Sequence, residues 1–175
     1  MQIWCINLKD NRDKSKQNKN TGLKFQICRE RCIVVIGWSV CDNVNTWEEY
    51  KHLADAEYAN DTSYAAARNG IQSIKSGDLV WVRNPVTREY YLVEITDEAP
   101  SVANELRDFD ICGYRRGNYY SIPNAMLTDA LSPKMLSARR AVERIRIDGK
   151  RNASIKATEL LFDSLKRNRS KDSEA

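Results

Sequence analysis

Apolar residues recur along this chain with two different periods, and the change of period marks its elements. Cys32-Ile33-Val34-Val35-Ile36 is an unbroken apolar run, too short to span a membrane, and predicts a buried strand over Cys32–Trp38. Gln2–Leu8 alternates and predicts a first strand. Leu79–Arg83 and Glu89–Thr96 predict two more, joined through Asn84-Pro85 as a hairpin. In Leu79–Arg83, Trp81 shares a face with Leu79, and Val80 and Val82 take the other. Helical spacing takes over between these runs. Leu23–Arg31 predicts an amphipathic helical turn. Thr46-Trp47-Glu48-Glu49 fits a capping box, opening a helix to Tyr58 with Trp47, Tyr50 and Ala54 on one face. Asp61 or Thr62 caps a second helix that buries Tyr64, Ala67, Ile71 and Ile74, and Ser76-Gly77 stops it.

The second half is punctuated more heavily. Asp97–Asp110 reads as an acidic loop, and Ile111–Arg115 with Asn118–Ile122 predicts a hairpin turning at Arg116-Gly117. Pro123 and Ser132-Pro133 each fit the start of a helical segment. Ala141–Ile147 is ambiguous, with Val142, Arg144 and Arg146 alternating with Glu143, Ile145 and Ile147. Ser154–Lys166 predicts an amphipathic helix with Ile155, Thr158, Leu161, Phe162 and Leu165 inward, and the last nine residues predict disorder. The expected fold is an α+β domain over 1–148, built on a curved, largely antiparallel sheet. The strands Cys32–Trp38, Leu79–Arg83 and Glu89–Thr96 are central in it. A C-terminal helix follows over 149–166, then a disordered tail over 167–175.

Composition narrows the setting. With 175 residues and 42% apolar content, the chain can bury one real core. No secretory, membrane-spanning or lipidation signal stands in it, and its five cysteines are an odd number without framework spacing. These features predict a cytoplasmic protein with free thiols and no cofactor. The net charge of +4 is unevenly spread: residues 150–175 carry +3 and the rest +1. Lys9, Arg12, Lys14, Lys16 and Lys19 face only Asp10 and Asp13 in one polar stretch. Such a stretch either solubilises a surface loop or engages phosphates.

Catalytic signatures are weak. There is no Gly-x-Ser-x-Gly elbow and no phosphate-cradling glycine loop. The single histidine, His52, falls mid-helix with no partner at a useful spacing and reads as a surface residue. Cys28, Cys32 and Cys41 lack the paired spacings and fourth ligand of a structural zinc site, so buried core thiols are expected instead. Asp78 with Glu94-Ile95-Thr96 resembles part of a metal-nuclease core, but Thr96 stands where that core needs lysine. No catalytic residue is therefore assigned.

Two strand-borne tryptophans, Trp38 before Ser39 and Trp81 after Gly77-Asp78, either line an aromatic slot for a flat ligand or fill the core. In order along the chain, four motifs resemble the PUA-like superfamily, in particular its EVE and YTH-like branches. These are Ile36-Gly37-Trp38-Ser39, a helical insert, Gly77-Asp78-Leu79-Val80 and Tyr90-Tyr91-Leu92-Val93-Glu94-Ile95-Thr96. Tyr119-Tyr120-Ser121-Ile122-Pro123 and Ala141–Ile147 resemble its closing elements. Such domains also stand as N-terminal modules of modified-DNA restriction systems. The resemblance implies a small curved barrel flanked by helices, holding a modified or flipped-out base of DNA or RNA in an aromatic cage, with a role in defence against modified DNA. It implies Trp38 as a cage wall, Ser39 at the base edge and Trp81 as a second wall or a core residue beneath it. Trp47, Tyr50, Tyr90 and Tyr119 are the candidates for a third wall. A serine at position 39, where many relatives carry a second glycine, is closer to the YTH-like pattern. Phosphates would fall to Lys14, Lys16, Lys19, Arg115 and Arg116, with Arg139, Arg140, Arg144 and Arg146 as further cations. Three classes follow: a non-catalytic nucleic-acid reader, alone or with an effector protein, a module for a small ligand or a protein, and a metal-dependent nuclease.

Overall fold

The computed structural model describes residues 1–8, 17–131, 141–145 and 152–172. The strands are β1 (Ile3–Ile6), β2 (Ile33–Val35), β3 (Leu79–Arg83), β4 (Tyr90–Ile95), β5 (Ser101–Val102), β6 (Gly113–Ile122) and β7 (Val142–Arg144). The helices are α1 (Gln17–Glu30), α2 (Trp47–Glu57), α3 (Thr62–Ser73) and α4 (Asn152–Asp172). The strands form one curled, half-barrel mixed sheet in the order β2-β6-β4-β3-β1-β7, with β5 also on β6. Among the described residues only β1 and β3 pair in parallel, Ile3 opposite Leu79, and α1, β2, α2 and α3 all lie in the crossover between them.

Strand alternation separates two cores. On one face Trp4, Ile6, Val80, Val82, Tyr91 and Val93 join β2 and the helices α1, α2 and α3. On the other, Ile3, Cys5, Leu79, Trp81, Tyr90, Leu92, Tyr120 and Ile122 lie under α4, which contributes Leu161 and Phe162. Ile155 and Leu165 pack at the edge of that second core.

The helix boundaries follow local chemistry. The Thr46 hydroxyl accepts the Glu49 N–H at 3.1 Å, and the Glu49 carboxylate accepts the Asn45 N–H at 2.7 Å. Asp61 is the cap of α3, accepting from the backbone of Ser63 and Tyr64. Gly77 takes φ +81°, and Asp78 beside it is buried. The Asp78 carboxylate accepts from the Gln2 N–H, the Lys75 N–H and the Trp4 indole at 2.7 to 3.0 Å. The Gly-Asp pair thus staples the start of β1 to the start of β3.

Four expectations are corrected. Residues 113–122 form one strand, not a hairpin turning at Arg116-Gly117. A Cβ on Gly117 would lie 2.6 Å from the Glu94 carbonyl oxygen, so glycine here permits a close strand approach. It stands where β6 changes partner, pairing with β2 through Tyr114–Arg116 and with β4 from Gly117 on. β2 lies at an edge of the sheet instead of its centre, and α1 packs against it. α1 begins at Gln17, ahead of the expected helical turn, and α4 stays helical to Asp172, past the expected end at Lys166. The ambiguous segment is an edge strand through Val142–Arg144, while Ser132-Pro133 lies outside the described residues.

Candidate functional site

β2 ends in a corner where the backbone is tied down by side chains. Trp38 adopts φ +62°, a left-handed conformation that is rare for a bulky aromatic. Its N–H donates to Asp110 Oδ1 at 3.1 Å, its indole N–H donates to Asp61 Oδ2 at 2.8 Å, and its carbonyl accepts from the Tyr50 hydroxyl at 3.1 Å. The next carbonyl, of Ser39, accepts from the Tyr58 hydroxyl at 2.7 Å, and the Ser39 hydroxyl makes a long 3.4 Å contact to the Arg107 carbonyl. A side chain on Gly37 would collide with the Asp110 carboxylate.

Asp110 is itself left-handed, at φ +55°, and is buried. Its Oδ2 accepts from the buried ammonium of Lys24 at 3.2 Å. Two strained residues, Trp38 and Asp110, therefore hold each other, and an α1 cation neutralises the carboxylate between them. Such backbone persists only where its surroundings over-determine it.

The corner meets solvent at the α2–α3 turn. Residues Ala56 to Thr62 line an open hollow of about 500 Å³ that includes Tyr58 and Asp61. Tyr64 stands behind, its ring centroid 6.2 Å from that of Trp38 and 5.4 Å from that of Tyr58. The Asp61 carboxyl lies below its usual pKa: burial pushes it up, but the Trp38 indole and the N–H groups of Tyr64 and Ser63 outweigh that. The Tyr64 hydroxyl donates to Asp55, which also pairs with Arg68. Glu57 and Asp61 make the lining acidic.

The structure divides the expected cage. Trp38, Ser39, Tyr50 and Trp47 gather at the corner, with the Trp47 and Tyr50 rings 5.2 Å apart. Tyr50 is fully buried and serves the corner through its hydroxyl, and Trp47 packs on Gly113 within the core. Tyr119 lies on the same sheet face but at the α1 side, donating to the Ile33 carbonyl at 2.8 Å and packing on Tyr91. Trp81 and Tyr90 are in the second core, across the sheet from Trp38. Alternation explains this: Trp81 points away from Val80 and Val82, and those two face the Trp38 side.

Of the expected phosphate ligands, Arg115 is fully buried. It pairs with the Asp97 carboxylate at 2.7 Å and donates to the Ile74 carbonyl, tying the β4–β5 loop to the end of α3. Arg116 is exposed and lies over the Tyr114 ring at 5.5 Å. Lys14, Lys16 and the Lys19 side chain lie outside the described residues, as do Arg139, Arg140 and Arg146. Asp78 and Glu94 do not converge. Asp78 holds Trp4 of the first core, whereas Glu94 accepts from Lys166 at 2.6 Å and Tyr120 at 3.2 Å on the α4 side. Burial pushes the Cys28 thiol up to about 12 and the Cys112 thiol up to about 11, while Cys32 and Cys41 are exposed. Among the described residues no group of three or more His, Cys, Asp or Glu side chains is placed to hold a metal ion. His52 is exposed on α2, and among the described residues no helix is long and apolar enough to cross a membrane.

Asp110, Lys24 and Tyr58 were not singled out from the sequence. Asp110 ends an acidic stretch, Lys24 is one of three cations on α1, and Tyr58 reads as a helix end. No pattern distinguishes the carboxylate that orients Trp38 from its neighbours. Compared with known proteins, the chain matches no protein-family model, no curated protein and no solved structure.

Proposed function

We propose that this chain is a non-catalytic module of the PUA-like kind that holds a modified or flipped-out nucleobase at the Trp38–Ser39 corner. The observation that carries the reading is the left-handed Trp38, held by Asp110, Asp61 and Tyr50 beside an open hollow. Backbone of this kind costs about 1–3 kcal/mol, and it is kept where the position of one side chain matters. An extruded base must recover its stacking energy, and an aromatic face returns roughly 1–3 kcal/mol per base. In this reading Tyr58 takes the place of Trp81 as the second wall. The Asp61 carboxylate and the Ser39 hydroxyl serve the base edge. The exposed Arg116 and the basic segment with Lys14, Lys16 and Lys19 take the phosphates.

The test is fluorescence anisotropy with plain and modified oligonucleotides across a salt series. Log affinity is expected to fall steeply as log salt rises. Trp38→Ala is expected to lose about 1–3 kcal/mol of affinity for the preferred base while the circular dichroism spectrum is retained. Unchanged affinity in a folded Trp38→Ala protein overturns the reading. One observation favours a small-ligand module instead: the hollow is lined by Glu57 and Asp61 with no cation among its lining residues, which suits an amino-bearing or cationic ligand. Binding of such a ligand, with no nucleic-acid binding at low salt, selects that alternative.

A further inference from the structure

Among the described residues, two buried hydrogen-bond donors on the sheet face opposite Trp38 have no acceptor. Tyr90 is 3% exposed, and its hydroxyl is buried without a hydrogen-bond partner. Arg83 pairs with Tyr90 in register across β3 and β4, which sets the two side chains beside each other on one face. The Arg83 guanidinium lies over the Tyr90 ring, 5.5 Å from its centroid, and its Nε–H is also buried without a partner. An unmade bond at each buried donor costs about 1–3 kcal/mol, so two side by side in a native fold call for an acceptor from outside.

The surroundings define the chemistry of that acceptor. Arg83, Cys5 and Arg88 are the titratable side chains acting on the phenol among the described residues, and no carboxylate is among them. Glu89, the nearest acid in sequence, accepts from Thr87 and Tyr91 instead. Burial raises the Tyr90 phenol above its ordinary pKa despite the pull of Arg83, so at neutral pH it remains protonated and donates. Trp81 packs edge-on to Tyr90 at 6.3 Å, and its indole N–H is bonded to Thr158, which fixes the ring that carries the hydroxyl. A phenol donor and two guanidinium cations at one hairpin suit an acceptor with several anionic oxygens.

We propose that Arg83, Arg88 and Tyr90 form a phosphate-binding site at the β3–β4 hairpin, on the α4 side of the sheet. It stands apart from the Trp38 corner and does not depend on what binds there. Its ligand is a phosphate group, carried either by a free phosphate or by a nucleic-acid backbone.

The test measures thermal stability of the full chain in inorganic phosphate against chloride at matched ionic strength. In parallel, the arginine Nε–H resonances are followed as phosphate, and separately a plain single-stranded oligonucleotide, is added. Phosphate is expected to raise the melting temperature and to shift the Arg83 Nε–H resonance to saturation. Tyr90→Phe removes only the hydroxyl and is expected to weaken phosphate binding by about tenfold or more. Because that hydroxyl has no partner among the described residues, the same variant without phosphate is expected to be as stable as the parent, or more so. Arg83→Lys keeps the charge, loses the Nε–H, and is expected to weaken binding to a similar degree. A response to phosphate assigns a free-anion site, and a response to the oligonucleotide alone assigns a backbone site. The absence of both, or binding unchanged in Tyr90→Phe, overturns the proposal.

Discussion

Trp38 and Trp81 both stand in or shortly after an apolar strand, and both have their indole N–H bonded, yet they lie in different physical settings. Trp81 sits within β3, is 1% exposed, and gives its N–H to the Thr158 hydroxyl of α4. It sits in regular strand within the second core, with the Tyr90 ring edge-on to it. Trp38 lies past the end of β2, is 9% exposed, takes a left-handed backbone, and gives its N–H to a carboxylate beside an open hollow. One tryptophan belongs to the packing that joins α4 to the sheet. The other is oriented by polar groups at a cost in backbone strain. Residue type is the same for both, so the difference comes from where each stands relative to its strand and from what each indole touches.

The largest effects should separate the two. Trp81→Ala removes a fully buried indole and is expected to cost about 3–5 kcal/mol in chemical denaturation. In whatever fraction stays folded, ligand binding at the corner should be unchanged. Trp81→Gly should cost about 0.5–1 kcal/mol more, because glycine in a strand loses additional chain entropy. At position 38 the order should reverse. Trp38→Gly should be more stable than Trp38→Ala by about 1 kcal/mol, since only glycine takes the left-handed backbone freely. If alanine is the better replacement at both sites, the left-handed Trp38 is not a real constraint and the contrast fails.

The corner has a second exposed weakness in its buried ion pair. Asp110→Ala leaves the Lys24 ammonium buried and unpaired and frees the Trp38 N–H, so a cost of about 3–5 kcal/mol is expected. Lys24→Met combined with Asp110→Asn removes both charges and keeps an acceptor for Trp38. That double variant should recover at least about 1 kcal/mol over Asp110→Ala. Urea titrations of the parent and the two variants decide it, and a double variant as unstable as the single one would show that charge pairing is not what holds the corner.

Much of the fold was legible because it rests on local chemistry. Thr46, Glu49 and Asp61 announce the starts of α2 and α3 through side-chain oxygens placed to accept the first free N–H groups. Tyr64, Ala67 and Ile71 fall at helical spacing and are buried as that spacing requires. The hairpin of β3 and β4 follows from two apolar runs around Asn84-Pro85. The failures are non-local. Gly117 looks like a turn glycine, and only the approach of the Glu94 carbonyl reveals why it sits inside β6. The edge position of β2 depends on α1 covering it, which its own apolar run does not encode. At the candidate site, Trp38 and Ser39 were visible as a strand end. Asp110, which orients them, is 72 residues away in the chain. Trp81 stays open between the same slot and the core, because sequence shows strand faces but not which helix covers each face. Arg115 reads as a surface cation because its partly buried partner Asp97 lies in a stretch that reads as loop.

The smallest effect distinguishes how each indole is held. Thr158→Val removes the hydroxyl that accepts from Trp81, at a cost of about 1 kcal/mol. Asp61→Asn keeps an oxygen near Trp38 and near the α3 cap but removes the charge, and a cost of about 1 kcal/mol is expected there too. Magnitude alone does not tell them apart, but pH does. The folded pKa of Asp61 lies below its usual value of 3.8, so the charged form is the one the fold favours. Its contribution is therefore fully present above pH 3.8 and is lost as pH falls through the lower folded value. Lowering the pH should shrink the difference between the parent and Asp61→Asn, because the parent loses its carboxylate while the variant has none to lose. The difference between the parent and Thr158→Val should stay constant over the same range, since neither threonine nor tryptophan titrates. Melting curves from pH 6 down to about pH 3 test this. Parallel behaviour of the two variants would mean that Trp38 is held by shape, as Trp81 is, and not by the charge of Asp61.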